Sequence, residues 1–339
     1  MNKLVGLCLP RSTVADLALV KDSGVEWLRT SFRFPFKDPE GSLSPEFLAS
    51  LAEARRLREA GFRLLGTVPG PGSYRHDPTL DRTVWKSAVP DWLGTPDQPG
   101  YRKTLEEACA FVAREAGDLV EYWQIANEPD VPIFRGPLTN DEMVEFLFAA
   151  ARGVRRGRPE AAVGINVGLG YGKWLSAFDE IYNRADSPFR DGYVGVDGYL
   201  GCWSPGSPAD WARHIDDAHR ITGRPVIINE WGYSSLHSAP KERERDFYNQ
   251  DVCRNKTWTH SWGGGHDPEI QAEFVKAALR VFTEHPQVLG HFFFRWDDTE
   301  TCWQCGERDC PSECAWGMVD TAGRPKPVYH AFREIVRGG

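Results

Sequence analysis

The sequence predicts an α/β fold, a (β/α)8 TIM barrel, as a single domain over residues 1–339 with long loops after the strands. Three observations predict it. Eight short runs rich in β-branched, aromatic and aliphatic residues recur along the 339 residues, separated by helical stretches. Each run is apolar on both faces, as parallel strands covered on both sides must be. No linker, tandem repeat or low-complexity tract divides the chain, and strand-like and helical segments alternate throughout. A barrel of this kind takes roughly 250 residues, so the remaining length goes into loops.

The strand-like runs lie at 4–9, 27–33, 62–68, 120–126, 162–167, 193–199, 225–230 and 288–296. The first is shorter than the apolar core of a signal peptide and meets Pro10 and Arg11 at once, so it reads as a strand and a cytoplasmic location is expected. An open doubly wound sheet would carry a Gly-rich phosphate turn after this strand, and Leu9-Pro10-Arg11-Ser12 is not one. The Gly-rich turn at Gly168-Leu169-Gly170-Tyr171-Gly172 misses the dinucleotide pattern because Lys173 stands where its third glycine belongs. Residues 45–60 place Phe47, Leu48, Leu51, Ala54, Leu57 and Arg58 at helical spacing, with Gly61 as the stop. Residues 139–157 open with Thr139 and Glu142 in a capping-box pattern and carry Met143, Phe146, Leu147 and Ala150 on one face.

The net charge is −8, with a sequence pI near 5.7, so the chain lacks the positive footprint of a nucleic-acid-binding protein. No apolar run reaches the roughly 18 residues that span a bilayer, and no membrane partner is expected. Thirteen tryptophans stand against three methionines. A core can be filled with Leu or Met, so this surplus points to flat apolar surfaces built for a purpose. Nine of the 13 (Trp85, Trp92, Trp203, Trp231, Trp258, Trp262, Trp296, Trp303 and Trp316) fall at strand ends or in the loops of the face where barrels place their active sites.

The fourth run ends Gln124-Ile125-Ala126-Asn127-Glu128-Pro129 and the seventh ends Ile227-Ile228-Asn229-Glu230-Trp231-Gly232. A charged residue at the end of a buried strand is costly unless solvated, paired or used. Either Glu alone reads as an ordinary solvated strand end. Two Asn-Glu endings at the fourth and seventh strands are much harder to explain that way.

These motifs resemble those of the clan A retaining glycoside hydrolases, with cellulase-like and β-xylosidase/α-L-iduronidase-like relatives. The resemblance implies a (β/α)8 barrel that cleaves β-linked sugars by double displacement, with Glu128 as acid/base and Glu230 as nucleophile. Other positions match the pattern: Arg29 on the second strand near the nucleophile, Tyr199 at the end of the sixth to hydrogen-bond it, and Trp296 at the end of the eighth as the floor of the central sugar site. Asn127 is implied to donate to the sugar 2-hydroxyl. The ending Gly317-Met318-Val319-Asp320, followed by Pro325-Lys326-Pro327 and Tyr329, is similar to the clan's last turn and helix. Asp197 departs from the pattern, since relatives often carry His two positions before the Tyr.

The resemblance leaves rivals. A transglycosylase would use the same two Glu, and a carbohydrate-binding barrel without catalysis would keep the cleft alone. The loops at 69–99 and 231–266 are long enough to wall one end of the cleft into a pocket. The expected partner is an oligosaccharide or glycoside.

Four of eight cysteines, Cys302, Cys305, Cys310 and Cys314, lie within residues 299–317, a Cys-rich loop after the eighth strand. Thiolates at such spacing suit one structural, tetrahedral Zn²⁺, with no cofactor needed for catalysis. Two local disulfides, free thiols or an iron–sulfur site are the alternatives. Bordering the cleft, this loop is expected to hold Trp303 and Trp316 against substrate. A zinc-dependent hydrolase is a poor reading, because four Cys leave no open coordination position. Cys202 and Cys253 read as separate thiols, or as a pair in an exported protein, and Cys8 and Cys109 as core. The nine histidines show no metal-ligand spacing, and those in loops (His76, His237, His260, His266) read as surface residues. Ser204 lacks the first glycine of a nucleophile elbow.

Overall fold

Eight parallel strands close into a barrel in the computed structural model, which describes residues 3–8, 13–96, 98–169, 174–237, 253 and 257–338. The strands are β1 (Leu4–Cys8), β2 (Trp27–Ser31), β3 (Arg63–Val68), β6 (Tyr122–Ile125), β7 (Ala162–Gly164) with β8 (Asn166–Gly168), β9 (Val194–Gly198), β10 (Val226–Trp231) and β11 (Val288–Phe293). Their order around the sheet is β7-β6-β3-β2-β1-β11-β10-β9-β8. β7 and β8 are two halves of one barrel strand. The first half pairs with β6 and the second with β9, and Ile165 sits at the break. There the Ile165 N–H donates to the Tyr182 hydroxyl at 3.1 Å, and that hydroxyl donates to the Tyr193 carbonyl at 2.8 Å, so the interrupted ladder is made good by a side chain.

All eight predicted runs contain strands; most are trimmed at their ends, while the fifth and seventh run one residue further, to Gly168 and Trp231. The largest trim is in the last, which ends at Phe293 rather than at 296. The segment read as a plain loop after β3 contains an antiparallel hairpin, β4 (Gly72–Asp77) and β5 (Arg82–Ser87). Of the earlier loop readings, Leu9–Ser12, Gly170–Lys173 and most of 238–256 lie outside the described residues.

Helices α1 (Val14–Asp22), α2 (Pro45–Glu59), α3 (Pro99–Ala116), α4 (Pro132–Arg135), α5 (Asn140–Gly157), α6 (Trp174–Tyr182), α7 (Asp210–Thr222), α8 (Pro268–Glu284) and α9 (Pro327–Gly338) surround the sheet. α5 starts with the predicted capping box. The Thr139 hydroxyl accepts from the Glu142 N–H at 3.2 Å, and the Glu142 carboxylate accepts from the Thr139 N–H at 2.7 Å. Its predicted face, Met143, Phe146, Leu147 and Ala150, is buried against the sheet. In α2, Leu48 departs from the predicted stripe and faces solvent, while Phe47, Leu51, Ala54 and Leu57 are buried. Among the described residues, no helix is long and apolar enough to cross a membrane.

Inside the barrel, Leu4 and Cys8 from β1, Trp27 from β2, Leu65 from β3, Ile227 from β10 and Phe292 from β11 pack with Tyr193. The interior is thus a filled core that supports a site at the strand ends. Cys8 and Cys109 are core residues, as expected.

Candidate active site

At the carboxyl ends of the strands lies a cleft of about 890 Å³, lined by Glu128, Glu230, Asp197 and Tyr199, among others. Two local irregularities aim the two glutamates into it. In β10 the pairing register shifts between Ile228 and Glu230 against β9 and between Ile228 and Trp231 against β11, so the strand bulges around Asn229. Strict alternation would put Asn229 inward and Glu230 outward, and the bulge re-aims Glu230 to the cleft. Trp231 then faces outward and packs against Phe282 of α8 at 4.9 Å. After β6 the backbone enters the left-handed region twice without glycine, at Ala126 (φ 59°) and Glu128 (φ 38°). Such positions persist only where surrounding contacts hold them. Here Gln124 Nε2 donates to the Ala126 carbonyl at 2.6 Å, and the Glu128 N–H donates to Asn166 Oδ1 at 3.1 Å.

Gln124 is the hub of a buried amide network. Its Oε1 accepts from Arg29 Nε at 2.8 Å and from Asn229 Nδ2 at 2.9 Å, while its Nε2 donates to Asn166 Oδ1 at 2.9 Å. β2, β6, β8 and β10 are thereby joined across the mouth of the barrel. Arg29 also donates to Asn127 Oδ1 and, through Nη1, to Glu230. The Tyr199 hydroxyl donates to the other oxygen of Glu230. Glu230 is only 7 % exposed, and a buried carboxylate of this kind is tolerable because the Arg29 guanidinium beside it supplies the countercharge.

Glu128 meets the opposite environment. Burial, and behind it the charge of Glu230, holds its carboxyl well above the usual carboxylate range. Gly168 makes the room: a Cβ there would lie 3.1 Å from Glu128 Oε1 and 2.7 Å from Val131 Cγ2. Nearby, burial raises Asp130 to about 7, although its Oδ1 accepts from the Gly168 N–H at 3.0 Å. Asp197 is also pushed well above the usual range, first by burial and then by Glu230 and Glu128. One of its oxygens accepts from Asn166 Nδ2.

The structure brings Arg29, Asn127, Glu128, Tyr199, Glu230 and Trp303 together on the cleft. It does not bring Trp296. That indole is fully buried, does not line the cleft, and donates from Nε1 to Asp16 Oδ1 at 3.0 Å. The physical reason is that β11 ends at Phe293, so the alternation of faces does not carry on to residue 296; Phe294 and Arg295 line the cleft there. The aromatic wall is made by Trp203, Tyr199, Phe294 and Trp316, with Trp316 edge-on to Tyr199 at 4.9 Å. Of the other loop tryptophans, Trp231 and Trp258 are buried and away from the cleft lining.

Cys314 is the second correction. The sulfurs of Cys253, Cys302, Cys305 and Cys310 lie within 4.8 Å of one another, and Cys314 only packs against this group. Cys202 stands apart, accepting from the Ser234 N–H at 3.4 Å. None of the nine histidines lines the cleft.

Sequence reasoning missed Gln124 and Asn166, whose signal was a polar residue inside an apolar run. It also missed Glu313 and Arg33, which come from loops, and Arg75, which comes from β4. Glu313 lines the cleft and accepts from Gln304 Nε2 at 2.7 Å, and burial raises its carboxyl to about 7.

No protein-family model and no curated protein matches the sequence. Solved structures do match. The GH53 catalytic domain of Ignisphaera aggregans is 18% identical, with a TM-score of 0.65 over 98% of this chain and 96% of that one. A family 39 glycoside hydrolase from Bacteroides cellulosilyticus is 15% identical, with a TM-score of 0.63 over 98% of this chain and 63% of that one. β-Glucuronidase from Bacteroides uniformis is 16% identical, with a TM-score of 0.63 over 99% of this chain, which spans 35% of the length of that protein. The chain therefore has the (β/α)8 barrel fold of the clan A glycoside hydrolases.

Proposed function

We propose that this protein is a retaining glycoside hydrolase acting on β-linked sugars, with Glu230 as nucleophile and Glu128 as acid/base. The observation that carries the reading is the pair of carboxyls facing one cleft in opposed environments. Glu230 is held by a guanidinium and a phenol, and Glu128 by burial beside a negative charge. Opposed environments are how two carboxyls come to serve as base and acid at one pH.

In the first step a Glu230 oxygen attacks the anomeric carbon as the bond to the leaving oxygen breaks. The proton of Glu128 passes to that oxygen, and the aglycone departs as an alcohol. In the second step Glu128, now a carboxylate, takes a proton from water as the water oxygen bonds to the anomeric carbon. The bond to Glu230 breaks, and both carboxyls return to their starting states. Arg29 and Tyr199 fix the direction of attack. Asn127, whose Oδ1 is occupied by Arg29 and by Asn166 Nδ2 at 3.0 Å, has its Nδ2 left for the sugar 2-hydroxyl. Trp203 and Trp303 offer faces and edges for pyranose rings, with the buried Trp316 packed behind Tyr199.

A panel of aryl β-glycosides and short oligosaccharides, with the product anomer followed by NMR, tests the proposal. Retention at the anomeric carbon is expected. Glu230→Gln abolishes turnover, and Glu128→Ala is rescued by azide with formation of a β-glycosyl azide. Inversion, or undiminished turnover by Glu230→Gln, refutes the mechanism; binding without turnover across the panel refutes the enzyme reading.

A further inference from the structure

We infer that Cys253, Cys302, Cys305 and Cys310 hold one structural zinc ion, which ties the loops after β10 and β11 together behind one wall of the cleft. The four sulfurs are buried and mutually close, with no pair farther apart than 4.8 Å. Cys253 and Cys310 are 3.7 Å apart, sulfur to sulfur. A disulfide needs about 2.05 Å. A tetrahedron with Zn–S bonds of about 2.3 Å has edges of about 3.8 Å, close to the 3.7 Å between Cys253 and Cys310. Two disulfides would also have to divide the group into pairs, whereas all four sulfurs converge on one point.

The local backbone is shaped for such convergence. Gly306 follows Cys305 with φ +74°, a conformation that glycine adopts without cost, and its N–H donates to the Cys302 carbonyl at 2.7 Å. The chain thereby doubles back between the two cysteines of the C-x₂-C pair, presenting both to one centre. Cys253 lies far back along the chain, ahead of α8, which is why spacing along the chain pointed to Cys314 instead. The Ser312 hydroxyl lies 2.6 Å from the Cys253 sulfur, placed to donate to a thiolate.

Binding forms four Zn–S bonds and releases the four thiol protons to solvent. The closed S₄ set leaves no position for water, so the ion takes no part in hydrolysis. Its effect runs through the wall it supports. Trp303, Gln304, Ser312 and Glu313 lie between or beside the ligands and line the cleft. The β4–β5 hairpin leans on the same knot, with the His76 N–H donating to the Trp303 carbonyl at 3.0 Å and Thr83 Oγ1 to the Gln304 carbonyl at 3.2 Å.

The test is metal analysis of the full chain purified without added metal. About one zinc per chain is expected. Cys305→Ser and Cys253→Ser should lose it, while Cys314→Ser and Cys202→Ser keep it. Should the first two variants fail to fold, the wild-type protein decides: removing its zinc with a chelator should expose about four additional thiols to a colorimetric thiol reagent, with zinc released in parallel. Metal-free protein, iron in place of zinc, disulfides among these cysteines by mass spectrometry, or zinc lost on Cys314→Ser would each overturn the assignment. These readouts do not depend on the glycosidase reading. A further one does: zinc removal should raise KM several-fold with a smaller effect on kcat, because Glu128 and Glu230 are held by the barrel and not by the knot.

Discussion

Gly168 offers a direct test of the acid/base role proposed for Glu128. Its backbone is of the ordinary kind, so Gly168→Ala adds a methyl group without demanding a left-handed conformation of alanine. That methyl would lie 2.7 Å from Val131 Cγ2, about 1 Å inside an ordinary carbon–carbon contact of ~3.8 Å. It would also lie 3.1 Å from Glu128 Oε1, a few tenths of an ångström too close. Val131 must move, and its N–H is bonded to the Glu128 carbonyl at 2.9 Å, so the push reaches Glu128 twice. Overpacking of this size costs about 1–3 kcal/mol of stability. Displacing a reacting group by about 1 Å costs on the order of 100-fold in rate. The assay compares two aryl glycosides that differ in leaving-group acidity. With a poor leaving group, which needs the proton of Glu128, kcat/KM should fall on the order of 100-fold. With a highly acidic nitrophenol it should fall far less. An equal fall with both, in protein of near wild-type Tm, would refute the position assigned to the acid; no fall with either would refute its role.

Three other outcomes are expected. Tyr199→Phe removes a hydrogen bond to a charged group worth about 1.5–3 kcal/mol, so kcat/KM should fall about 10- to 100-fold. Asp130→Asn tests linkage. Its folded value of about 7 lies above the ordinary 3.8, so wild-type stability from this group is full below about 4 and is lost as pH rises through about 7; the variant should match wild type in Tm at about pH 3.5 and exceed it at about pH 9. Trp296→Phe should lower stability by about 1–3 kcal/mol, by leaving Asp16 short of a donor, and should leave KM unchanged if the indole lies outside the cleft.

The barrel was legible because its strands are buried on both faces, and continuous apolar runs such as Val226–Ile228 have no other home. The two glutamates were legible for the complementary reason: a charged residue closing such a run stands out. The bulge at Asn229 and the left-handed turn at Ala126 and Glu128 leave no mark in composition, since neither position carries the glycine that would announce them. The β4–β5 hairpin was invisible because Gly72–Asp77 is polar throughout. Trp296 was misplaced by assuming that face alternation continues past Phe293, where the strand has already ended. Cys314 was chosen over Cys253 because spacing measures distance along the chain, while a long loop can bring a remote sulfur to the same point.

Gln124 has a consequence that belongs to stereochemistry. Retention requires the two carboxyl groups about 5–5.5 Å apart, and inversion about 6.5–9.5 Å. Glu128 hangs from one side of the barrel mouth and Glu230 from the other, so their separation is fixed by whatever braces the rim. Gln124 is that brace, reaching Arg29, Asn166 and Asn229 while hydrogen-bonding to neither glutamate. Under the proposed double displacement, an amide that makes and breaks no bond would act as the gauge between the two carboxyls, and the anomeric configuration of the product would depend on its length.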